Sequence, residues 1–347
     1  MTLSIRDTAT PAAADTDGPE AMGDVCLFAF FDPADAVDEW VFYYLARLRD
    51  LSFSIVFIST SPISEAHLAR LRTYCCDVIV RANQGLDFAS WAAAFHRHEK
   101  SISGRLLLAN SSVYGPVDDL TNALNRLTSR PADFYGMVES IDISPHLQSW
   151  FLLFEPHVAR GATLKEFLSQ PFTQMTKDQI IVNGEVALSK RLVSAGLRYQ
   201  ALYRASAAGW AERLFASNPM HLFWREMITV EGVPFLKVAL PRDNPLGLND
   251  SAEVGKVVGT LNPALWSLIA AHQARIGGAS PQYPPSLWRR IMWSPRRLYH
   301  VLMRRGYRLH RAHRRVAEAY NFLLLMALYA IRAPAREIRR HWLSRSG

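Results

Sequence analysis

An α/β fold, built on a mostly parallel sheet with helices on both faces, is the architecture this sequence predicts, and three observations predict it. Short apolar runs of strand length alternate with segments of helical periodicity through the first 140 residues. The run Leu106 to Ala109 stops abruptly at Asn110-Ser111-Ser112 and a Gly115-Pro116 turn, so a buried strand delivers polar groups to its carboxyl end. The chain has 347 residues, 49% of them apolar, enough to bury a large core.

The elements follow in order. Val25 to Phe31 is a strand; after Asp32-Pro33, the segment Ala36 to Arg49 sets Val37, Val41, Tyr44, Leu45 and Leu48 at helical spacing. Phe53 to Ser59 is the next strand, Ser64 caps a helix running to about Tyr74, and Asp77 to Val80 is the third strand. A helix from Asp87 to about His98 leads to the strand ending at Asn110, then a helix over Asp118 to Leu127 and a strand over Asp133 to Val138. Ser149 to Phe154 is a further strand, and Lys177 to Ala195 a helix stopped by Gly196. Beyond it the pattern loosens. Asn244 to Pro285 is rich in Pro, Gly and Asn around a helical piece, Pro263 to Ala274.

These readings divide the chain into a flexible leader (1–23), a body (24–245), a linker region (246–285) and a basic helical tail (286–347). The charge follows the same division. From Ser286 onward there are 15 arginines, no lysine and two acids, Glu318 and Glu337, so the net +8 is a tail of +13 on a body of −5. The basicity therefore does not make the body a nucleic-acid binder, and no nucleic-acid module is recognisable in it. Cys26, Cys75 and Cys76 form no zinc spacing and no disulfide framework, which suits a reducing, cytoplasmic compartment; Cys75-Cys76 reads as core filling.

In an open α/β sheet, ligands sit at the carboxyl ends of the strands, which places a site near Asn110. Four segments in order now resemble the rhamnan synthesis protein F family, bacterial glycosyltransferase-like proteins of surface polysaccharide assembly. They are Arg81-Ala82-Asn83-Gln84-Gly85-Leu86-Asp87-Phe88-Ala89-Ser90-Trp91, Asn110-Ser111-Ser112-Val113-Tyr114-Gly115-Pro116, His146-Leu147-Gln148-Ser149-Trp150-Phe151 and Asn218-Pro219-Met220-His221-Leu222-Phe223-Trp224. Pro234-Phe235-Leu236-Lys237 and Arg242-Asp243-Asn244-Pro245 extend the match, which covers roughly residues 25–245. The resemblance implies a GT-A-like nucleotide-sugar fold and transfer of a sugar, often rhamnose, to a growing glycan, inverting or retaining.

The resemblance implies that a nucleotide sugar is bound by Arg81, Asn83, Gly85, Asp87, Asn110, Ser112, His146 and Gln148. Asp87, at a strand-to-helix turn, can cap the helix or accept hydrogen bonds from a base or ribose. Arg81 ends a strand, where its guanidinium can meet a diphosphate or a surface acid. Asn110 and Ser112 offer donors and acceptors to a ligand or to a local turn. His146 and Gln148, two apart on an extended segment, face the same way. Glu185, on a helix among Ile181, Leu188 and Leu192, is a candidate general base whose desolvation would raise its pKa; Asp142 is the alternative. His96 and His98 point to different helix faces and receive no role.

One departure bears on the cofactor. Where the family commonly has Asn-Asp-Ser, this chain has Asn110-Ser111-Ser112, so a Mg or Mn ion on the diphosphate loses an expected oxygen ligand. The metal is then held elsewhere, or positive side chains neutralise the leaving group, or the chain is a non-catalytic scaffold of glycan assembly. In the tail, Trp288, Ile291, Trp293, Leu298 and Tyr307 interleave with arginines, which suits an interfacial helix on anionic lipid at the inner face of the cytoplasmic membrane. Phe322 to Ile331 is too short to span a bilayer. The expected partners are a nucleotide-sugar donor and a lipid-linked or polysaccharide acceptor.

Overall fold

A computed structural model describes residues 21–141, 143–205, 218–243 and 251–277. Most of the leader, all of the tail and Asp142 lie outside the described residues, and with them the expectations placed there.

The first three β-α steps appear as read. Strands β1 (Val25–Phe30), β2 (Ser54–Ser59), β3 (Asp77–Val80) and β4 (Leu106–Asn110) form a parallel half-sheet in the order β3-β2-β1-β4. The pleat divides each strand's side chains between two cores. Cys26, Phe28 and Phe30 pack with Trp40, Val41, Tyr44 and Leu45 of the helix Glu39–Asp50, while Val25, Leu27 and Ala29 pack with Phe88, Trp91 and Phe95 of the helix Leu86–His98. Helices cover both faces, which is why β1 and the runs Ile55 to Ile58 and Leu106 to Ala109 are apolar at successive positions rather than at alternate ones.

The sheet continues through β8 (Phe151–Phe154) to β6 (Phe134–Ser140), with β9 (Tyr199–Arg204) and the short β7 (His146–Leu147) also on β6. Among the strands between β3 and β9, β8 runs against its neighbours: Leu106 pairs with Phe154 and Phe134 with Phe154. The reason lies in the link. Only residues 141–150, which include β7, join β6 to β8, and that is too short for the crossover a parallel strand needs. A separate two-stranded ribbon pairs β5 (Val113–Tyr114) with β10 (Leu236–Lys237), setting Lys237 opposite Val113 just past the end of β4.

Two stretches differ from the sequence reading. The segment read as one helix from Lys177 to Ala195 is a helix over Lys177–Ile180, a π-helical turn over Ile181–Val186 and a helix over Ala187–Ser194. Glu185 sits in the π turn, which swings it off the register of a regular helix. The helical piece expected from Pro263 to Ala274 is present as the helix Pro263–Arg275, but a second helix, Ser251–Leu261, precedes it, and Val254, Val258, Leu265 and Ile269 of the pair are fully buried in the body's core. Asn262 between them caps the second helix through Leu265 N (2.9 Å) and donates to the Tyr43 hydroxyl (2.9 Å), so the pair is latched as well as packed. Cys75 is buried as expected, but Cys76 is exposed. No helix among the described residues is long and apolar enough to cross a membrane.

Candidate active-site cleft

A cleft of about 940 Å³ opens over the carboxyl ends of the parallel strands. It is lined by Phe31 and Asp32 after β1, Thr60 after β2, Asn83 and Asp87 after β3, and Ser111 and Ser112 after β4. His146, Gln148, Glu185, Lys237, Arg242 and His272 complete its lining. Of the residues expected to bind or react, Asn83, Asp87, Ser112, His146, Gln148 and Glu185 line the cleft, whereas Arg81, Gly85 and Asn110 do not.

Asn110 is the knot beneath its floor. Its side-chain amide donates to Asp87 Oδ2 (2.7 Å), while its carbonyl oxygen accepts from the backbone N and the hydroxyl of Ser112 (3.0 and 2.7 Å). Asn110 is buried and does not itself line the cleft; it orients Asp87 and Ser112, which do. Asp87 is not a helix cap: Gly85 holds that position in the left-handed region (φ 76°), and Asp87 is in the first turn. A side chain at Gly85 would strike the Phe172 backbone and Ala89 Cβ, which accounts for the glycine by packing rather than by ligand contact.

Arg81 departs from its expected role. Its guanidinium donates to Ser90 Oγ (3.2 Å) and to the Gln84 carbonyl (2.8 Å), tying down the β3-helix loop, and it does not line the cleft. Asn83 lines it and is exposed. His146, in β7, and Gln148, just past its end, both line the cleft. Gln148 is held at both ends of its amide, donating to Asn218 Oδ1 (3.0 Å) and accepting from Trp150 Nε1 (2.7 Å).

Glu185 accepts from Ser149 Oγ (2.6 Å) and lies 3.3 Å from His146 Nε2. Burial raises its pKa, but the His146 and Ser149 hydrogen bonds and the Lys237 charge outweigh it, so the net direction is down, opposite to the sequence reading. The raised carboxylate is Asp87, pushed up to about 6 by desolvation, with Glu185 adding to it and Asn110 and Lys237 opposing it. Lys237, which the sequence reading quoted within a motif but gave no role, is brought down to about 8 by burial despite both carboxylates.

At the other end, Asp32, Asp38 and His272 bring ligand atoms within 4.8 Å of one another. Arg275 already occupies both carboxylates, at 2.5 Å from Asp32 Oδ2 and 3.0 Å from Asp38 Oδ1, and its own pKa is raised by them. A divalent ion there would have to displace a guanidinium in fork geometry, and the loop after β4 offers it only amide and hydroxyl groups. At this cluster and in the loop after β4, the described residues do not fit a resident Mg or Mn ion.

An open α/β sheet with a polar cleft at the carboxyl ends of its strands defines a ligand-binding protein of the doubly wound class. The family profile of rhamnan synthesis protein F matches residues 55–257, and the chain belongs to that family. It is 25% identical over 195 residues to the protein y4gN of Sinorhizobium fredii, covering 54% of this chain and 51% of that one, so the chain spans about half the length of that relative. It is also 25% identical over 236 residues to virulence protein VirA of Vibrio anguillarum, covering 59% of this chain and 74% of that one. Among solved structures, the mannosyltransferase PcManGT from Pyrobaculum calidifontis, in complex with GDP-Man and Mn2+, is 10% identical with a TM-score of 0.36, covering 86% of each chain.

Proposed function

We propose that this chain is a glycosyltransferase that moves a sugar from a nucleoside-diphosphate donor to a growing surface polysaccharide or lipid-linked glycan. The observation that carries the reading is the convergence, in one cleft, of Asp87 and Ser112, joined through Asn110, with His146, Gln148, Glu185 and Lys237. Membership of the rhamnan synthesis family supports the polysaccharide context and favours rhamnose as the sugar.

In this reading the nucleoside lies over the ends of β1 to β3, against Phe31, Thr60 and Asn83, with Asp87 accepting from its ribose. Gln148 and His146, whose rotamers are fixed by hydrogen bonds, contact the sugar. An inverting transfer needs a carboxylate to take the acceptor's hydroxyl proton as the anomeric bond to the diphosphate breaks. Glu185 is ionised at neutral pH and faces the cleft, and it is the group assigned to that step. The arginine-rich tail holds the enzyme on the anionic inner face of the cytoplasmic membrane, where a lipid-linked acceptor resides.

The test is nucleotide release from a panel of nucleotide sugars by the purified full chain. Release from one donor, lowered at least about tenfold in both Asp87→Ala and Glu185→Ala, is expected. Equal release by wild type and both variants, or none from any donor, overturns the reading.

A further inference from the structure

Resting on that reading of the cleft, we infer that the cation facing the donor's diphosphate is the Lys237 ammonium, and that this chain binds nucleoside diphosphate without a divalent ion. Lys237 reaches the site from the β5-β10 ribbon, opposite Val113, so its side chain is delivered to the end of β4, where the polar loop begins. Its ammonium donates to Ser112 Oγ across 3.4 Å and lies over the Trp150 ring, 5.6 Å from the centroid.

The position is unusual for a lysine. An ammonium carries three donors, and this one has a single long hydrogen bond to a neutral hydroxyl. Among the described residues no carboxylate lies within the 4 Å of a direct ion pair, although Asp87 and Glu185 both act on it from across the cleft. Trp150 and Ser112 offset only part of the cost of desolvating a positive charge that has no anion in contact, and an anion whose oxygens reach the spare donors recovers the rest. A diphosphate supplies such oxygens, and an ammonium bonds them by charge-assisted hydrogen bonds.

The carboxylates of the cleft are committed otherwise. Asp87 is held by Asn110, Glu185 by Ser149 and His146, and Asp32 and Asp38 by Arg275. The positive charge a diphosphate requires is therefore built into the chain at the place where the strand-end loop has no acid to hold a metal.

The experiment is calorimetric titration of the full chain with UDP, GDP and dTDP, each in EDTA and in manganese, alongside the matching nucleosides. The expected result is one diphosphate bound with the same affinity, within about threefold, in both buffers, and weakened at least about tenfold in Lys237→Met, partly restored in Lys237→Arg. The matching nucleoside binds wild type and Lys237→Met alike, which separates loss of the charge from loss of the fold. Binding that appears only with manganese, or that Lys237→Met leaves unchanged, overturns the inference while the nucleotide-sugar reading stands. No binding of any diphosphate in either buffer overturns both.

Discussion

The two ends of the cleft are built from the same components to opposite purposes. Each has two carboxylates, a histidine and a long cationic side chain. At the Asp32–Asp38 end, Arg275 lies against both acids at direct contact distance, with His272 behind it, 3.6 Å from Asp38 and hydrogen-bonded to Tyr114. At the Asp87–Glu185 end, the acids are held by amide, hydroxyl and imidazole groups, and Lys237 feels the charge of both without closing an ion pair. A closed cluster spends its charge on joining the helix Pro263–Arg275 to the loop after β1. An open one leaves its charge available to a ligand, at a cost in stability.

That contrast breaks if the closed end proves dispensable to the fold. Arg275→Ala leaves Asp32 buried and uncompensated, and removes the clamp between a core strand and a helix from the far end of the chain. The expected loss is about 2–4 kcal/mol of unfolding free energy, read as a lowered urea midpoint. Lys237→Met, by contrast, shifts stability by less than about 1 kcal/mol, because no close partner is left behind. Equal losses in the two variants would erase the distinction.

Acid and base titration sharpens it further, since the two ends respond with opposite signs. The pKa of Asp32 is lowered in the fold, by the Arg275 hydrogen bonds and the Ala34 and Ala36 amides working against burial, so its contribution is present above the ordinary 3.8 and is lost as pH falls below it. Asp87, raised to about 6, binds its proton more tightly folded than unfolded, so its contribution falls as pH climbs from about 4 to 6. The slope at each end is bounded by about 1.4 kcal/mol per pH unit. In stability curves against pH, Asp32→Asn should flatten the acid limb, and Asp87→Asn should remove the decline between about 4 and 6. A single variant that flattens both would mean the clusters titrate as one.

Much of the open end was legible in the sequence, and the closed end was not. Leu106 to Ala109 ending at Asn110 announces a strand-end loop, and the alternation before it gives β1 to β4, because doubly covered strands leave an apolar signature that local reading detects. Gln148 and His146 follow from period-two spacing and the family match. The rest depends on distance along the chain. Asp32 and Arg275 are 243 positions apart, and the helices that carry Arg275 to the cleft sit in a stretch whose Pro, Gly and Asn content reads as a linker. The two-residue strands β5 and β10 are too short to show a period, so the delivery of Lys237 was invisible although the residue lay in a quoted motif. The pKa direction of Glu185 went the other way because burial is readable from apolar neighbours, whereas Ser149 and His146 are brought to it only by the tertiary fold.

The smallest expected effect tests how an open cluster keeps its geometry without an ion pair. Asn110 is neutral, buried and out of contact with the cleft, yet it fixes both Asp87 and Ser112, and through Ser112 the hydroxyl that Lys237 contacts. Asn110→Ala removes three hydrogen bonds while leaving every cleft-lining side chain in place. Asp87 loses the donor that holds its pKa down, so its titration moves further up, and Ser112 is free to turn. The affinity for nucleoside diphosphate should fall about three- to tenfold, worth about 1 kcal/mol, with the larger deficit just above pH 6, where Asp87 is protonated in the variant but ionised in the wild type. A deficit independent of pH would place the effect in the Ser112 loop alone. An unchanged affinity would show that the cluster is held open by its backbone rather than by Asn110.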